Sequence, residues 1–167
     1  MDFSQFLNMR EEISLLIVIF LVFFADLFFC KEQESDDKLP ESPIKSPIGL
    51  ITIALFSIHT ILNLLPSMNG MSFGITAFGG MYTHTPIMTV VKTILNIGTL
   101  VCFLMAYKWL QNTENSIKQG EFYLITLFTV LGMYLMISSG HFLMFFFCLE
   151  LASIPMTALV AFDKKRY

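Results

Sequence analysis

Charged residues are scarce in this chain of 167 residues. Asp, Glu, Lys and Arg make up 14% of it, whereas hydrophobic residues make up 55% and the mean hydropathy is +0.69. Soluble domains contain about 25% charged residues. No basic patch indicates nucleic-acid binding, and no Gly-rich phosphate loop indicates a directly bound nucleotide. The composition excludes an ordinary soluble domain and favours a membrane protein.

Patterns typical of metal and redox sites are lacking as well. The three cysteines, Cys30, Cys102 and Cys148, are widely spaced and fit no zinc, iron–sulfur or redox motif. No two of the three histidines have the spacing of haem or metal ligands. We therefore expect no metal ion and no cofactor in this chain itself.

The apolar residues are grouped into five blocks, each long enough to cross a bilayer, which takes about 20 residues per helix. The blocks are too long for barrel strands, and non-helical backbone cannot face lipid. The sequence therefore predicts an all-α, polytopic membrane helix bundle with five transmembrane helices in one domain over residues 1–167. The predicted spans cover residues of about 13–30, 47–65, 87–110, 122–139 and 141–162.

The connections between the blocks differ in character. Residues 31–46 carry charges of both signs and two prolines, which predicts a solvated loop. Residues 66–86 carry no formal charge and are expected to pack on the membrane surface or a partner, with a short hairpin around Phe73 to Tyr82. The turn from Ser138 to His141 is so short that the fourth and fifth helices must be antiparallel neighbours.

The distribution of Lys and Arg predicts the direction of the chain, because these residues concentrate on the cytoplasmic side. With five spans, one side of the membrane receives only Arg10, and Lys92 lies inside a span. The other side receives Lys31, Lys38, Lys45, Lys108, Lys118, Lys164, Lys165 and Arg166. We therefore expect the N-terminus outside and the C-terminus in the cytoplasm.

Glu150 lies near the middle of the fifth apolar block and is its only charged residue. A carboxylate at bilayer depth costs a few kcal/mol, and such residues usually face a bundle interior and mark an ion or proton path. Pro155 follows five positions later and should kink or loosen the helix beside the acid. The alternative is a protonated acid that hydrogen-bonds to a neighbouring helix. We favour a role in proton transfer or coupling.

Three further polar residues lie within the predicted spans. Lys92 is a candidate proton-relay residue, but it could equally extend its long stem to the outer interface. Asp26, near the cytoplasmic end of its span, is expected to reach interfacial water or a partner subunit, and not to pair with Lys92. His59 could relay protons, but we favour a hydrogen bond between helices.

The last third of the chain resembles the subunit N family of bacterial NADH-quinone oxidoreductase, respiratory complex I. The strongest match is the pattern Leu-Glu-Leu-x-Ser-x-Pro at Leu149 to Pro155, preceded by Glu-Phe-Tyr-Leu at the start of the previous block. Together these cover about Gln119 to Phe162. The first three spans agree with the family in placement and orientation but are not diagnostic alone.

The resemblance implies a member of the antiporter-like, proton-translocating family. The functional acid on the fifth helix of that family matches Glu150, whereas its lysines on later helices match nothing here, and Lys92 is not carried over. The family has fourteen helices, so the chain is expected to be an N-terminal fragment. The resemblance also implies a bacterial inner (plasma) membrane location, other membrane subunits of complex I as partners, and NADH, flavin, iron–sulfur clusters and quinone on other subunits.

Two other functions fit the same sequence. One is a cation/proton antiporter subunit of the same superfamily, which co-purification with quinone-reductase partners would exclude. The other is a non-catalytic structural or assembly membrane protein, in which Glu150 could be neutralised without loss of function. The leading hypothesis remains a membrane subunit that contributes to proton translocation coupled to electron transfer from NADH to quinone.

The basic residues make the topology testable. A reporter fused after Arg166 should be cytoplasmic, and one inserted near Met81 should be external, because the basic residues lie almost entirely on one side. Reporter activity and labelling from outside the cell would measure both positions. The opposite accessibility at both sites would contradict the five-span arrangement.

Overall fold

The computed structural model describes residues 4–34, 47–69, 75–112 and 119–161. A short helix, α1 (Ser4–Leu7), precedes five long helices. These are α2 (Arg10–Glu34), α3 (Ile48–Asn69), α4 (Pro86–Asn112), α5 (Gln119–Ile137) and α6 (Phe142–Ala161). Each predicted span falls on one of them, which confirms the all-α bundle. Most of the predicted loop at 31–46 and the basic tail lie outside the described residues.

Three helices are by themselves long and apolar enough to cross a membrane: α4 over Pro86–Gln111, α5 and α6. The apolar part of α3 is shorter, Ile48–Leu64. Two acids, Glu11 and Glu12, lie in the first turn of α2, where the unpaired N–H groups of a helix favour negative charge. The direction of the chain across the bilayer stays a prediction.

The bundle buries one apolar face of each inner helix and leaves other apolar faces exposed. On α2 the buried residues follow helical spacing, whereas the residues between them are equally apolar and exposed. The buried residues are Leu15, Val18, Ile19 and Val22, and the exposed ones include Leu16, Ile17, Phe20 and Leu21. Apolar residues on both faces are expected where the outer face meets lipid.

The helices α5 and α6 form an antiparallel pair, as the short turn between them predicts. Their backbones approach closely at Gly132 and Ala152. A Cβ atom on Gly132 would lie 2.7 Å from the Ala152 nitrogen. Glycine at this position therefore allows the two helices to touch. α5 also packs against α2, α3 and α4, whereas α6 lies on the outside of the bundle against α5.

A β-hairpin caps the end of the bundle where α2 and α4 begin and α5 ends. Its strands are β1 (Ile75–Ala77) and β2 (Tyr82–His84), joined by a turn at Phe78–Gly80 whose residues all have positive φ. This confirms the predicted hairpin. The hairpin is attached to the α5–α6 turn, because the Thr83 N–H donates to Ser138 O and the Gly140 N–H donates to Met81 O, both at 2.8 Å.

The close approach of α5 and α6 at Gly132 predicts that a larger side chain there lowers the stability of the bundle. Gly132→Ala should lower the free energy of unfolding by about 1–3 kcal/mol, because the added methyl group meets the backbone of α6. Gly98→Ala is the matched control, since a Cβ atom there has no neighbour within 4 Å. Detergent titration of the purified chain, followed by circular dichroism, would compare them. Equal effects of the two substitutions would contradict this account.

Candidate functional site

Lys92 lies inside the bundle and forms two ion pairs. It follows the start of α4 by about 9 Å at roughly 1.5 Å per residue, and its side chain is only 2% exposed. Its Nζ atom is 2.5 Å from Glu12 Oε1 and 3.0 Å from Glu11 Oε2. The alternative in which Lys92 extends to the outer interface is therefore wrong, because its ammonium group is held by buried carboxylates. Its role as a proton relay stays a prediction.

Hydroxyl groups from three elements complete the surroundings of the two glutamates. The Ser138 hydroxyl donates to Glu12 Oε1 at 3.0 Å, and the Tyr82 hydroxyl lies 3.1 Å from Glu12 Oε2. The Thr89 hydroxyl donates to Glu11 Oε1 at 3.0 Å. Both glutamates are 4% exposed. We call Glu11, Glu12 and Lys92 the charged triad; it joins the start of α2 to α4, the hairpin and the end of α5.

The electrostatics of the charged triad depend on burial. Removing charges from water is costly unless they are paired and hydrogen-bonded, and the hydroxyl donors supply part of that compensation. Burial and the nearby Glu12 carboxylate raise the pKa of Tyr82 well above its ordinary value, so its phenol stays neutral and can donate. Within the described residues, no group of three or more His, Cys, Asp or Glu side chains could hold a metal ion.

A second polar group adjoins the charged triad and is centred on His59. The imidazole Nε2 lies 3.3 Å from the Tyr134 hydroxyl, and Nδ1 lies 2.9 Å from the Ser14 hydroxyl. Tyr134 donates to Asn96 Oδ1 at 2.5 Å, and the Lys92 ammonium lies 5.3 Å from the centre of the Tyr134 ring. The expectation that His59 hydrogen-bonds between helices is confirmed, since its partners lie on α2 and α5.

Asp26 lies toward the opposite end of the bundle. α2 carries it to the first turn of α5, where a Cβ atom on Gly120 would collide with the Asp26 carboxyl group. Its side chain is half-buried. The expectation that Asp26 does not pair with Lys92 is confirmed, because the partners of Lys92 are Glu11 and Glu12.

Glu150 lies on an exposed face of α6, eight residues after the helix begins, or about 12 Å along it at roughly 1.5 Å per residue. Only Cys148 and Ala152 are buried on this helix. The Glu150 carboxyl group makes no hydrogen bond or ion pair with any residue that the structure describes. The helix continues through Pro155 without a break. The two candidate residues Glu150 and Lys92 are therefore not joined by a contact.

Glu11 and Glu12 were not predicted as site residues, because they precede the first apolar block. A usable signal was nevertheless present. In an alternating bundle the start of the first span, the start of the third and the end of the fourth lie at the same end. Glu11, Glu12, Lys92 and Ser138 all lie within about two turns of that end. Opposite charges at one end of neighbouring helices could have indicated the pairing.

The charged triad predicts a large effect of removing its cation. Lys92→Met should lower the free energy of unfolding by about 3–5 kcal/mol, because it leaves two buried carboxyl groups without their positive partner. Titration of the purified chain with a denaturing detergent, followed by circular dichroism, would measure the loss.

Lys108→Met is the matched control for this substitution. Lys108 is exposed on the same helix and makes no ion pair within the described residues, so we expect a change within about 0.5 kcal/mol. The double variant Lys92→Met with Glu12→Gln should recover part of the lost stability. A Lys92→Met chain as stable as the control would show that the ion pairs contribute little.

The chain is similar over nearly its whole length to curated bacterial proteins named NADH-quinone oxidoreductase subunit N. It is 45% identical over 164 residues to the protein of Phocaeicola vulgatus, and 38% identical over 164 residues to that of Azobacteroides pseudotrichonymphae. Both alignments cover 98% of this chain and 31% of the relative. The protein of Neisseria gonorrhoeae is 32% identical over 150 residues, which cover 90% of this chain and 28% of the relative.

No family model matches the chain. The chain spans about a third of the length of the curated relatives it matches. The similarity nevertheless includes the segment that carries Glu150, since the two longest alignments leave out only 2% of the chain. Together with the bundle of apolar helices, these similarities show that the chain belongs to the subunit N family of NADH-quinone oxidoreductase.

Proposed function

We propose that the chain contributes to proton translocation, as part of a membrane subunit of an NADH-quinone oxidoreductase in the bacterial inner membrane. The name of the relatives supports membership in such a complex. The polar groups of this chain support a role in moving protons. In this proposal electron transfer from NADH to quinone takes place on other subunits, which hold the flavin, the iron–sulfur clusters and the quinone.

The proposal rests on the position of Glu150. Its carboxyl group lies near the middle of an apolar helix and has no partner among the described residues. A charged group at that depth is costly unless it is paired or faces water. The exposed face of α6 is therefore proposed to pack against protein that supplies a partner for Glu150. The relatives are about three times as long as this chain, so the remainder of such a subunit is the proposed source.

The proposed role needs a group that can bind and release a proton at that depth. A carboxyl group does this by exchanging one proton between its neutral and ionised forms. A short side chain about 12 Å along the helix, at roughly 1.5 Å per residue, cannot easily reach water at either surface of a core about 30 Å thick. Proton exchange at Glu150 would therefore pass through neighbouring groups or internal water. Glutamine keeps the size of the side chain but cannot perform the exchange.

Substitution of Glu150 in the full-length subunit within its complex tests this role. Glu150→Gln should leave assembly intact and reduce proton pumping, with the coupled quinone reductase activity, by about a hundredfold or more, since a positioned proton-transfer group typically contributes that much. Glu150→Asp should retain more activity, because it keeps an ionisable carboxyl group. Pumping in membrane vesicles and NADH-dependent quinone reduction would measure both effects.

Glu121→Gln provides the matched control. Glu121 is an exposed acid in the first turn of α5, near the end of the bundle opposite the hairpin, and we expect its substitution to leave pumping unchanged. Normal pumping by a normally assembled Glu150→Gln complex would refute the role of Glu150. Loss of pumping in both variants would show that a general loss of negative charge is responsible.

A further inference from the structure

We propose that the charged triad is a buried proton-binding site, at which the carboxyl groups of Glu11 and Glu12 hold one exchangeable proton between them. The site is separate from Glu150, which lies on the exposed face of α6 and makes no contact with it. Its use in proton movement rests on the proposed function, whereas the binding of the proton does not.

The first argument is the balance of charge. The triad contains two carboxyl groups and one ammonium group, and each side chain is at most 5% exposed. If all three were ionised, one negative charge would remain in a low-dielectric interior, where an uncompensated charge is strongly disfavoured. One bound proton neutralises the group. Carboxyl groups that share a site titrate together, so the proton belongs to the pair.

The second argument is the distribution of hydrogen-bond donors. Both oxygens of Glu12 are occupied: Lys92 and Ser138 contact Oε1, and Tyr82 contacts Oε2. On Glu11 the Thr89 hydroxyl occupies Oε1. Oε2 of Glu11 is buried and accepts no hydrogen bond, although the Lys92 ammonium lies 3.0 Å away. Glu11 therefore receives fewer hydrogen bonds than Glu12 to stabilise an ionised carboxylate, so the shared proton lies mainly on Glu11.

Titratable side chains surround the pair from every packed element. α4 contributes Lys92, α5 contributes Tyr134, α3 contributes His59, and the hairpin contributes Tyr82 and His84. The Thr89 hydroxyl contacts both Glu11 Oε1 and, at 3.4 Å, His84 Nε2. This line of polar atoms leads from Glu11 to the hairpin at the end of the bundle.

A purely structural ion-pair cluster would behave differently. In that case both carboxyl groups would be ionised at neutral pH, and their hydrogen bonds to Lys92 and the hydroxyl groups would carry the excess charge. The two possibilities differ in the number of protonated carboxyl groups. That number can be read by infrared spectroscopy, since the carbonyl stretch of a protonated carboxyl group is distinct and shifts in heavy water.

The experiment uses the 167-residue chain in lipid nanodiscs. Asp26→Asn and Glu150→Gln are introduced together, so that the triad is the remaining source of buried carboxyl signals among the described spans. We expect one protonated carboxyl group per chain at neutral pH. A chain whose carboxyl groups are all ionised at neutral pH overturns the proposal. This measurement leaves the triad intact and therefore stands even if triad variants fail to fold.

Substitutions within the triad then assign the signal. Glu11→Gln and Glu12→Gln should each abolish it, because either change leaves one carboxylate balanced by Lys92. Lys92→Met should raise it to two protonated groups per chain, because the balancing cation is gone. Glu121→Gln should leave it unchanged. A signal that survives both glutamine substitutions in folded chains overturns the proposal. The assay uses neither NADH nor a gradient, so its outcome is independent of the pumping test on Glu150.

Discussion

Burial of the Lys92 ammonium group between two carboxyl groups is the constraint on which the arrangement of the bundle depends. α2 and α4 each pack against α3 and α5, and the ion pairs of Lys92 connect them directly. Ser138 and Tyr82 bring the end of α5 and the hairpin to the same two glutamates. The buried interior of the bundle offers no water to replace these contacts, so the four elements must meet at this point for the charges to be tolerated.

The chain contains acids in two contrasting situations. Glu11 and Glu12 lie inside the bundle, where a lysine and three hydroxyl groups from the chain itself surround them. Glu150 lies on the exposed face of α6 and has no such surroundings within the described residues. The charges of the first situation are paired within this chain, whereas Glu150 has no partner among the described residues. This contrast is the reason for proposing that the exposed face of α6 packs against further protein.

The helices were predictable because a bilayer requires every backbone polar group to be satisfied within the segment, so apolar blocks of this length must be helical. Glu150 could be selected as a candidate site residue because it is the only charge in its apolar block and lies within the pattern Leu149 to Pro155. The partners of Lys92 were not predicted, because a long side chain two turns from a helix end can reach the interface as readily as a neighbouring helix. The choice depends on whether α2 lies close enough to α4 for Glu11 and Glu12 to reach Lys92, and that placement depends on how the helices pack. An interhelical hydrogen bond of His59 was predicted, but its partners Ser14 and Tyr134 were not.

The contact between Gly132 and Ala152 has a further consequence for geometry. Gly132 precedes Tyr134 by two residues on α5, and Ala152 follows Glu150 by two residues on α6. The contact between the two backbones therefore fixes the position of Glu150 along the bundle axis and its distance from the interior polar groups. A side chain at position 132 would push α6 outward and carry the acid with it. The location of Glu150 therefore depends on the absence of a side chain at Gly132 on α5.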